Sequence, residues 1–414
     1  MRLGSAMQHH KWASKSGLTV VGEQHPHMKS VSLGFFVKTG SRDEPKQLNG
    51  VSHFLEHMMF KGSRTRSGEE IDETFDGLGA EYNAFTGFEY TGYYARVLPE
   101  HLEALFELQA DMMHPALRKE DFETEKKVIL EEIALYEDQP SSVLQRQAIQ
   151  LYYGDHPLGQ DILGSSASIR ALTAEQMQAY HRAQYVPANI TLAWVGNADL
   201  AQVQALAQRF CSSWEPGAAL RVHATFSPMP HEQQLHRGNV ARTHAVILCP
   251  APSYKDPRSE AMDLLVDVLG HGGNSRLYWA LVDKGLVDYA GASYQAQDGV
   301  GMVGVSLSCD PQQTASAMQI VQEEIARLLS QGISQQELDS ARNRVLTSLA
   351  VEGEQSLRRV FSVAFDALYD RPYRSLSQVL SAYERVSLED VHRLLQEYPF
   401  APQTVVTLSP GSAA

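Results

Sequence analysis

The chain repeats itself. Tyr82, Gly92 and Pro99 recur as Tyr294, Gly304 and Pro311, each 212 residues further on, and each proline opens a helix with a similar apolar pattern. The following helix pair keeps step: Leu117, Phe122 and Leu130 match Ile333, Leu338 and Leu346 at an offset of 216. A duplicated sequence folds the same way twice, so the 414 residues are expected to form two related lobes. The stretch 212–230 is rich in Ser, Pro and Gly and reads as the linker. The expected division is a first lobe 1–211, a linker 212–233 and a second lobe 234–414.

Within the first copy, 18–21 and the alternating Val31, Leu33, Phe35 and Val37 read as strands. A turn at 39–44 leads to a helix over 51–60. Ser67-Gly68-Glu69-Glu70 has the pattern of a capping box and opens a helix to about residue 78. Strands are expected at 81–86 and 89–98, joined at Gly87, then helices from Pro99 and over 120–136. Strands alternating with helix pairs imply an α+β fold, each lobe a mostly antiparallel sheet covered by helices on one face.

Composition narrows the functional classes. The hydrophobic content of 43% and charged content of 20% are those of a globular chain. No window approaches 18 uninterrupted apolar residues, so no membrane-spanning helix is expected. The first ten residues lack the apolar core of a signal peptide, which points to the cytoplasm, with the periplasm as the alternative. A net charge of −14 opposes nucleic-acid binding. Cys211, Cys249 and Cys309 lie far apart, which argues against a disulfide scaffold and a thiolate metal site.

His53-Phe54-Leu55-Glu56-His57 carries the chemistry. On a helix, positions i and i+4 project from one face, so both imidazoles reach one ion. Glu56 stands beside that face, where it reaches an activated water without being a ligand. This is the inverted form of the HExxH zinc motif. A catalytic zinc needs a third protein ligand, usually a carboxylate in a hydrolase. The helix that follows offers Glu123, Glu125, Glu131, Glu132 and Glu137. Glu125 and Glu132 are two turns apart on nearly one line, whereas Glu131 points about 100° away. In the second copy, His53, Glu56 and His57 correspond to Leu264, Asp267 and Val268 at an offset of 211 anchored on Gly62 and Gly273. Glu125 and Glu132 correspond to Ala341 and Ser348. All candidate ligands therefore segregate into one half. Histidines with a carboxylate favour zinc over manganese or cobalt.

The run Gly40-Ser41-Arg42-Asp43-Glu44, the segment from His53 through Met58-Met59-Phe60-Lys61-Gly62, and Glu125 with Glu132 resemble the pitrilysin-like (insulinase and mitochondrial processing peptidase-like) zinc metallopeptidases. Asn83-Ala84-Phe85-Thr86 and His156-Pro157-Leu158-Gly159 are similar to further family segments, as is the 75-residue spacing from His57 to Glu132. The resemblance covers essentially the whole chain. It implies one zinc per chain held by His53, His57 and Glu132, Glu56 as general base, and Glu125 as a carboxylate behind a ligand. It implies that Asn83 and Ala84 lie on an edge strand that pairs with substrate backbone. It also implies a tyrosine that holds the scissile carbonyl, matched by Tyr289, together with an arginine seven residues earlier. That position is Val282.

The expectation is a zinc endopeptidase of the HxxEH type, acting on peptides or unfolded chains bound as a strand. The partners are a peptide substrate and a second two-lobed unit, as a homodimer or a heterodimer with a related subunit; no nucleic acid and no membrane are expected. Two other readings stand beside it. One is the zinc-bearing subunit of a heteromer whose partner supplies the arginine. The other is a non-catalytic scaffold subunit, against which the complete ligand set argues. His25-Pro26-His27 reads as an exposed hairpin and Gly270-His271-Gly272-Gly273-Asn274 as a turn.

Overall fold

The computed structural model describes residues 8–218 and 221–411. Ala219 and Leu220 of the expected linker, and most of the N-terminal stretch read for a signal peptide, lie outside the described residues. Two sheets organise the rest. The first has the order β1-β2-β6-β3-β5-β4, with β1 at Gln8–Ala13, β2 at Thr19–Gln24, β3 at Val31–Val37, β4 at Glu81–Thr86, β5 at Thr91–Val97 and β6 at Ile190–Gly196. The second has the order β7-β11-β8-β10-β9, with β7 at His231–Arg237, β8 at Thr243–Ala251, β9 at Tyr289–Ala296, β10 at Gly301–Cys309 and β11 at Thr404–Pro410. Without β1 the two orders are the same. Each sheet has one parallel pair, β2 with β6 and β7 with β11, and is otherwise antiparallel.

The duplication extends to register. Phe35 pairs with Tyr93 and, 212 residues on, Ile247 pairs with Val305. Tyr82 and Tyr294 are not counterparts, however. Tyr82 faces Ala95, whereas the counterpart of Ala95, Leu307, faces Ala290. The second hairpin is longer, since β10 begins two residues before the offset requires, and this shifts its outer strand along the ladder. The stretch 25–30 is not a hairpin either, because β6 lies between β2 and β3.

The first five α-helices, all in the first half of the sequence, are α1 at Val51–Met59, α2 at Gly68–Gly77, α3 at Leu102–Met112, α4 at Lys119–Glu137 and α5 at Pro140–Tyr153. Ser67 accepts from the N–H of Glu70, and Glu70 returns the bond to the N–H of Ser67, so α2 starts with the capping box that its sequence encodes. Phe54 of α1 stacks on Phe122 of α4 with ring centroids 4.7 Å apart, over a core that includes Leu33, Phe35 and Phe106. Burying each such ring contributes about 1.5–3 kcal/mol.

The helix cover is not confined to one face. Every residue of β3 and β6 is buried, because the helix Ser356–Leu368 packs on the opposite face, setting Phe361 5.5 Å from Phe36. That helix is the counterpart of α5, which packs on β8 and β11. Each half of the sequence thus contributes one helix to the other sheet. The compact units are Met1–Ile133, Gln160–Val222 and Val351–Ser375 for the first, and Ala134–Gly159, His223–Ala350 and Leu376–Ala414 for the second. A cut at a single linker, as the sequence suggests, would sever both exchanged helices from their sheets. Among the described residues no helix is long and apolar enough to cross a membrane.

Candidate metal centre

The first helix begins at Gly50, whose φ of 95° is open to glycine and whose missing side chain leaves room for the carbonyl of Leu163. Phe54, Leu55, Met58 and Met59 face the core, which turns His53, Glu56 and His57 to the half-buried side. On α4, Phe122, Ile129 and Ile133 face the same core. Helical phasing then carries Glu125 and Glu132 toward α1 and leaves Glu131 exposed.

One Nδ1 or Nε2 atom from each of His53 and His57 and one carboxylate oxygen of Glu132 lie within 4.8 Å of one another. His53 Nε2 is 3.9 Å and His57 Nε2 3.7 Å from the Glu132 carboxylate. Bond lengths of about 2.0–2.2 Å put tetrahedral zinc ligands roughly 3.3–3.6 Å apart, so side-chain adjustments of up to about an ångström bring the set to the ion. Glu125 is buried behind His57, its Oε1 2.9 Å from Nδ1, and Lys61 Nζ lies 2.9 Å from its other oxygen. The Nδ1 contact leaves Nε2 as the nitrogen turned to the shared point.

Burial and the neighbouring His57 push the pKa of His53 down to about 3, so its imidazole is neutral with a lone pair to offer. Burial also lowers His57, but the bond to Glu125 and the charges of Glu132 and Glu56 outweigh it and hold it above its ordinary value. The His57 bond holds the Glu125 carboxyl below the usual range, with Lys61 assisting. Burial raises Glu132 and Glu56. Glu56 accepts a hydrogen bond from Thr86 Oγ1, which opposes that rise. Thr86 is two residues from Ala84, on the same face of β4, so strand alternation alone could have marked it as facing α1. Lys61, four residues beyond His57, carried a comparable signal.

Asn83 and Ala84 lie on β4, the edge of the first sheet, paired on one side only with Tyr94 and Tyr93. Asn83 is exposed. In the second unit Tyr289 opens the edge strand β9 and is 54% exposed, which excludes a packed aromatic. Val282 packs against the second core. Arg276 is held by Glu337 through two hydrogen bonds of 2.7 and 3.0 Å.

Known proteins resemble this chain along nearly its whole length. Residues 19–166 match the model of the insulinase family (peptidase family M16), and 171–345 match the model of the M16 inactive domain. The chain belongs to this family. It is 30% identical to the zinc protease YmxG of Bacillus subtilis, over 97% of this chain and 98% of that protein. It is also 30% identical to a zinc protease of Streptomyces coelicolor, over 92% of this chain and 85% of that one. The fold matches a protease from Helicobacter pylori at 23% identity, with a TM-score of 0.90 over 98% of this chain and 100% of that chain. It matches an M16 inactive-domain peptidase structure from Pseudomonas fluorescens at 20% identity, with a TM-score of 0.92 over 98% of each chain. The inactive-domain match falls largely on the half that lacks the candidate ligands.

Proposed function

We propose that this chain is a zinc-dependent endopeptidase in which His53, His57 and Glu132 hold one zinc ion. The observation that carries the reading is the convergence of those three side chains beside a half-buried Glu56. Zinc bound there would polarise the scissile carbonyl and acidify a water, as amide hydrolysis at neutral pH requires. Glu56 uses one oxygen to accept from Thr86 and has Oε1 for the proton of the attacking water, which it then delivers to the leaving amine. Its raised pKa suits both transfers. Glu125 fixes the ring of His57 through Nδ1. The open edge of β4 at Asn83 and Ala84 takes substrate as an added strand, which selects extended peptides over folded proteins. Tyr289 contributes to holding the carbonyl. Its exposure supports that role.

A second reading is favoured by Val282. It packs on apolar neighbours where a carbonyl-binding arginine is expected, and Arg276 is committed to Glu337. In that reading the chain is the zinc-bearing subunit of a heterodimer, and in the first it works as a homodimer. Its place is the cytoplasm or, in the alternative, the periplasm.

Zinc analysis with light scattering and cleavage of a quenched peptide library tests both readings. Stoichiometric zinc and peptidase activity in a dimer support the first. Zinc with activity only after a related subunit is added supports the second. Stoichiometric zinc persisting in a His53→Ala, His57→Ala double variant would sink the ligand set.

A further inference from the structure

The first turn of α1 lacks a cap of its own. Gly50 has no side chain to offer, and a Cβ there would meet the carbonyl of Leu163 at 2.5 Å. Six residues earlier, Glu44 is buried at 5% exposure, and its carboxylate reaches back over this turn. Oε2 accepts from the N–H of Gly50 at 2.7 Å and from Asn49 Nδ2 at 2.8 Å, while Oε1 accepts from the N–H of Ser52 at 2.7 Å. His53 is the next residue.

We propose that Glu44 is a positioning residue of the metal centre: its carboxylate clamps the first turn of α1 and thereby sets the direction of His53 and His57. Three considerations carry this. An acceptor-only group with two oxygens bridges two orphan N–H groups of a helix start, which an amide cannot do without turning its own N–H₂ toward a donor. Burial pushes the Glu44 carboxyl up to about 7, so above that pH it is ionised, and its charge then also complements the helix dipole. The helix is only nine residues long, so the clamped turn adjoins the first histidine and lies one turn from the second.

The duplicate supplies an internal comparison. At the offset of 212, Glu44 corresponds to Asp256. One oxygen of Asp256 takes the N–H of Arg258 at 2.9 Å, and both oxygens answer the guanidinium of the same residue. Among the described residues, that carboxylate bridges no pair of helix N–H groups. The bridging clamp thus stands over the helix with histidines and is lacking over the helix without them. Gln160 anchors the loop from behind by donating to the carbonyls of Ser41 and Glu44.

The proposal rests on the zinc reading, and its test separates the two. Zinc affinity is measured by chelator competition, and amide hydrogen exchange at Gly50 and Ser52 is followed in the zinc-free protein, for wild type, Glu44→Gln and Asp43→Asn. Asp43 lies in the same buried loop but answers Arg221, at 2.8 and 2.9 Å. Glu44→Gln is expected to weaken zinc by roughly 10-fold or more and to speed exchange at both amides, with Asp43→Asn within about twofold of wild type. Glu44→Gln within about twofold of wild type, or an equal loss in Asp43→Asn, would overturn the clamp. Should Glu44→Gln fail to fold, Asn49→Ala carries the test. It removes the lateral bond to Oε2 along with the 2.7 Å bond from Asn49 Nδ2 to the carbonyl of Asp161, and leaves both backbone bonds to Glu44 in place, so a smaller loss of zinc affinity is expected, and unchanged affinity refutes the proposal. A wild type that binds no zinc defeats the zinc reading, while exchange at the two amides still reports on the clamp.

Discussion

In the first unit α1 turns His53, Glu56 and His57 toward α4. In the second, the helix Ser259–Gly270 turns Leu264, Asp267 and Val268 toward the helix Gln335–Gly353. The strand order is shared, yet the chemistry differs completely. Leu264 and Val268 are buried in the second core, and Ala341 fills the place of Glu125. Asp267, at the place of Glu56, is tied to Arg344 through Nε at 2.9 Å and lies 3.3 Å from His271 Nδ1. Where the candidate ligands are absent, apolar packing and an ion pair occupy the same inter-helix position. Where they are present, polar groups remain half-buried, and the Nδ1 of His53 is buried without a partner among the described residues. A site of this kind costs packing and polar satisfaction, and the fold holds with or without it.

This comparison is sharpest in turnover. Glu56→Gln should keep its zinc and lose about 10²–10⁴-fold in kcat, the range of a positioned general base. His53→Ala should lose most of the metal. Arg344→Met in the other unit should leave both zinc content and kcat unchanged, and lower stability instead. Zinc loss in Arg344→Met, measured by elemental analysis of the folded protein, would break the assignment of the chemistry to one unit. Glu125→Gln should cost roughly 10- to 100-fold in zinc affinity or activity, with Glu131→Gln without effect. The reverse pattern would mean that the phasing of α4 is wrong. Thr86→Val removes the donor to Glu56 and should lower kcat about tenfold with KM little changed, while Thr86→Ser recovers most of it.

Much of this was legible in the sequence, because helix geometry is local. The HxxEH spacing and the two-turn spacing of Glu125 and Glu132 place five of the key side chains without knowledge of the fold. The duplication was readable for the same reason, since Pro99 and Pro311 start corresponding helical segments. What escaped depends on distant contacts. Nothing in the local pattern of Ser356–Leu368 says which sheet its apolar face will cover, so its exchange with α5 was invisible. The tyrosine pair misled because a longer hairpin keeps the alternation while shifting register. Glu44 escaped because a cap six residues from the helix start has no fixed sequence offset, unlike the capping box at Ser67.

The smallest expected difference between the units appears in acid. Each contains a carboxylate held at about 2, below its ordinary 4.5. In the first unit burial pushes Glu23 up, but hydrogen bonds from His25, Arg359 and Tyr373 outweigh it. In the second, burial is likewise outweighed at Glu337, by Arg276 and Ser334. A carboxylate whose folded pKa lies below its unfolded one stabilises the fold above about 4.5, and that contribution is lost as pH falls toward 2. For Glu23, which is nearly fully buried with Arg359, the contribution is about 3 kcal/mol. Glu337 keeps about a third of its side chain in solvent, so screening reduces its share. Denaturant unfolding at pH 7, 4.5 and 3, with hydrogen exchange to separate the units, should show the first unit losing more stability in acid. Glu23→Gln should flatten that loss more than Glu337→Gln, at the cost of a lower stability at pH 7 because Arg359 is left buried without its charge partner. Equal flattening by the two variants would show that burial of the first pair adds nothing to its acid response.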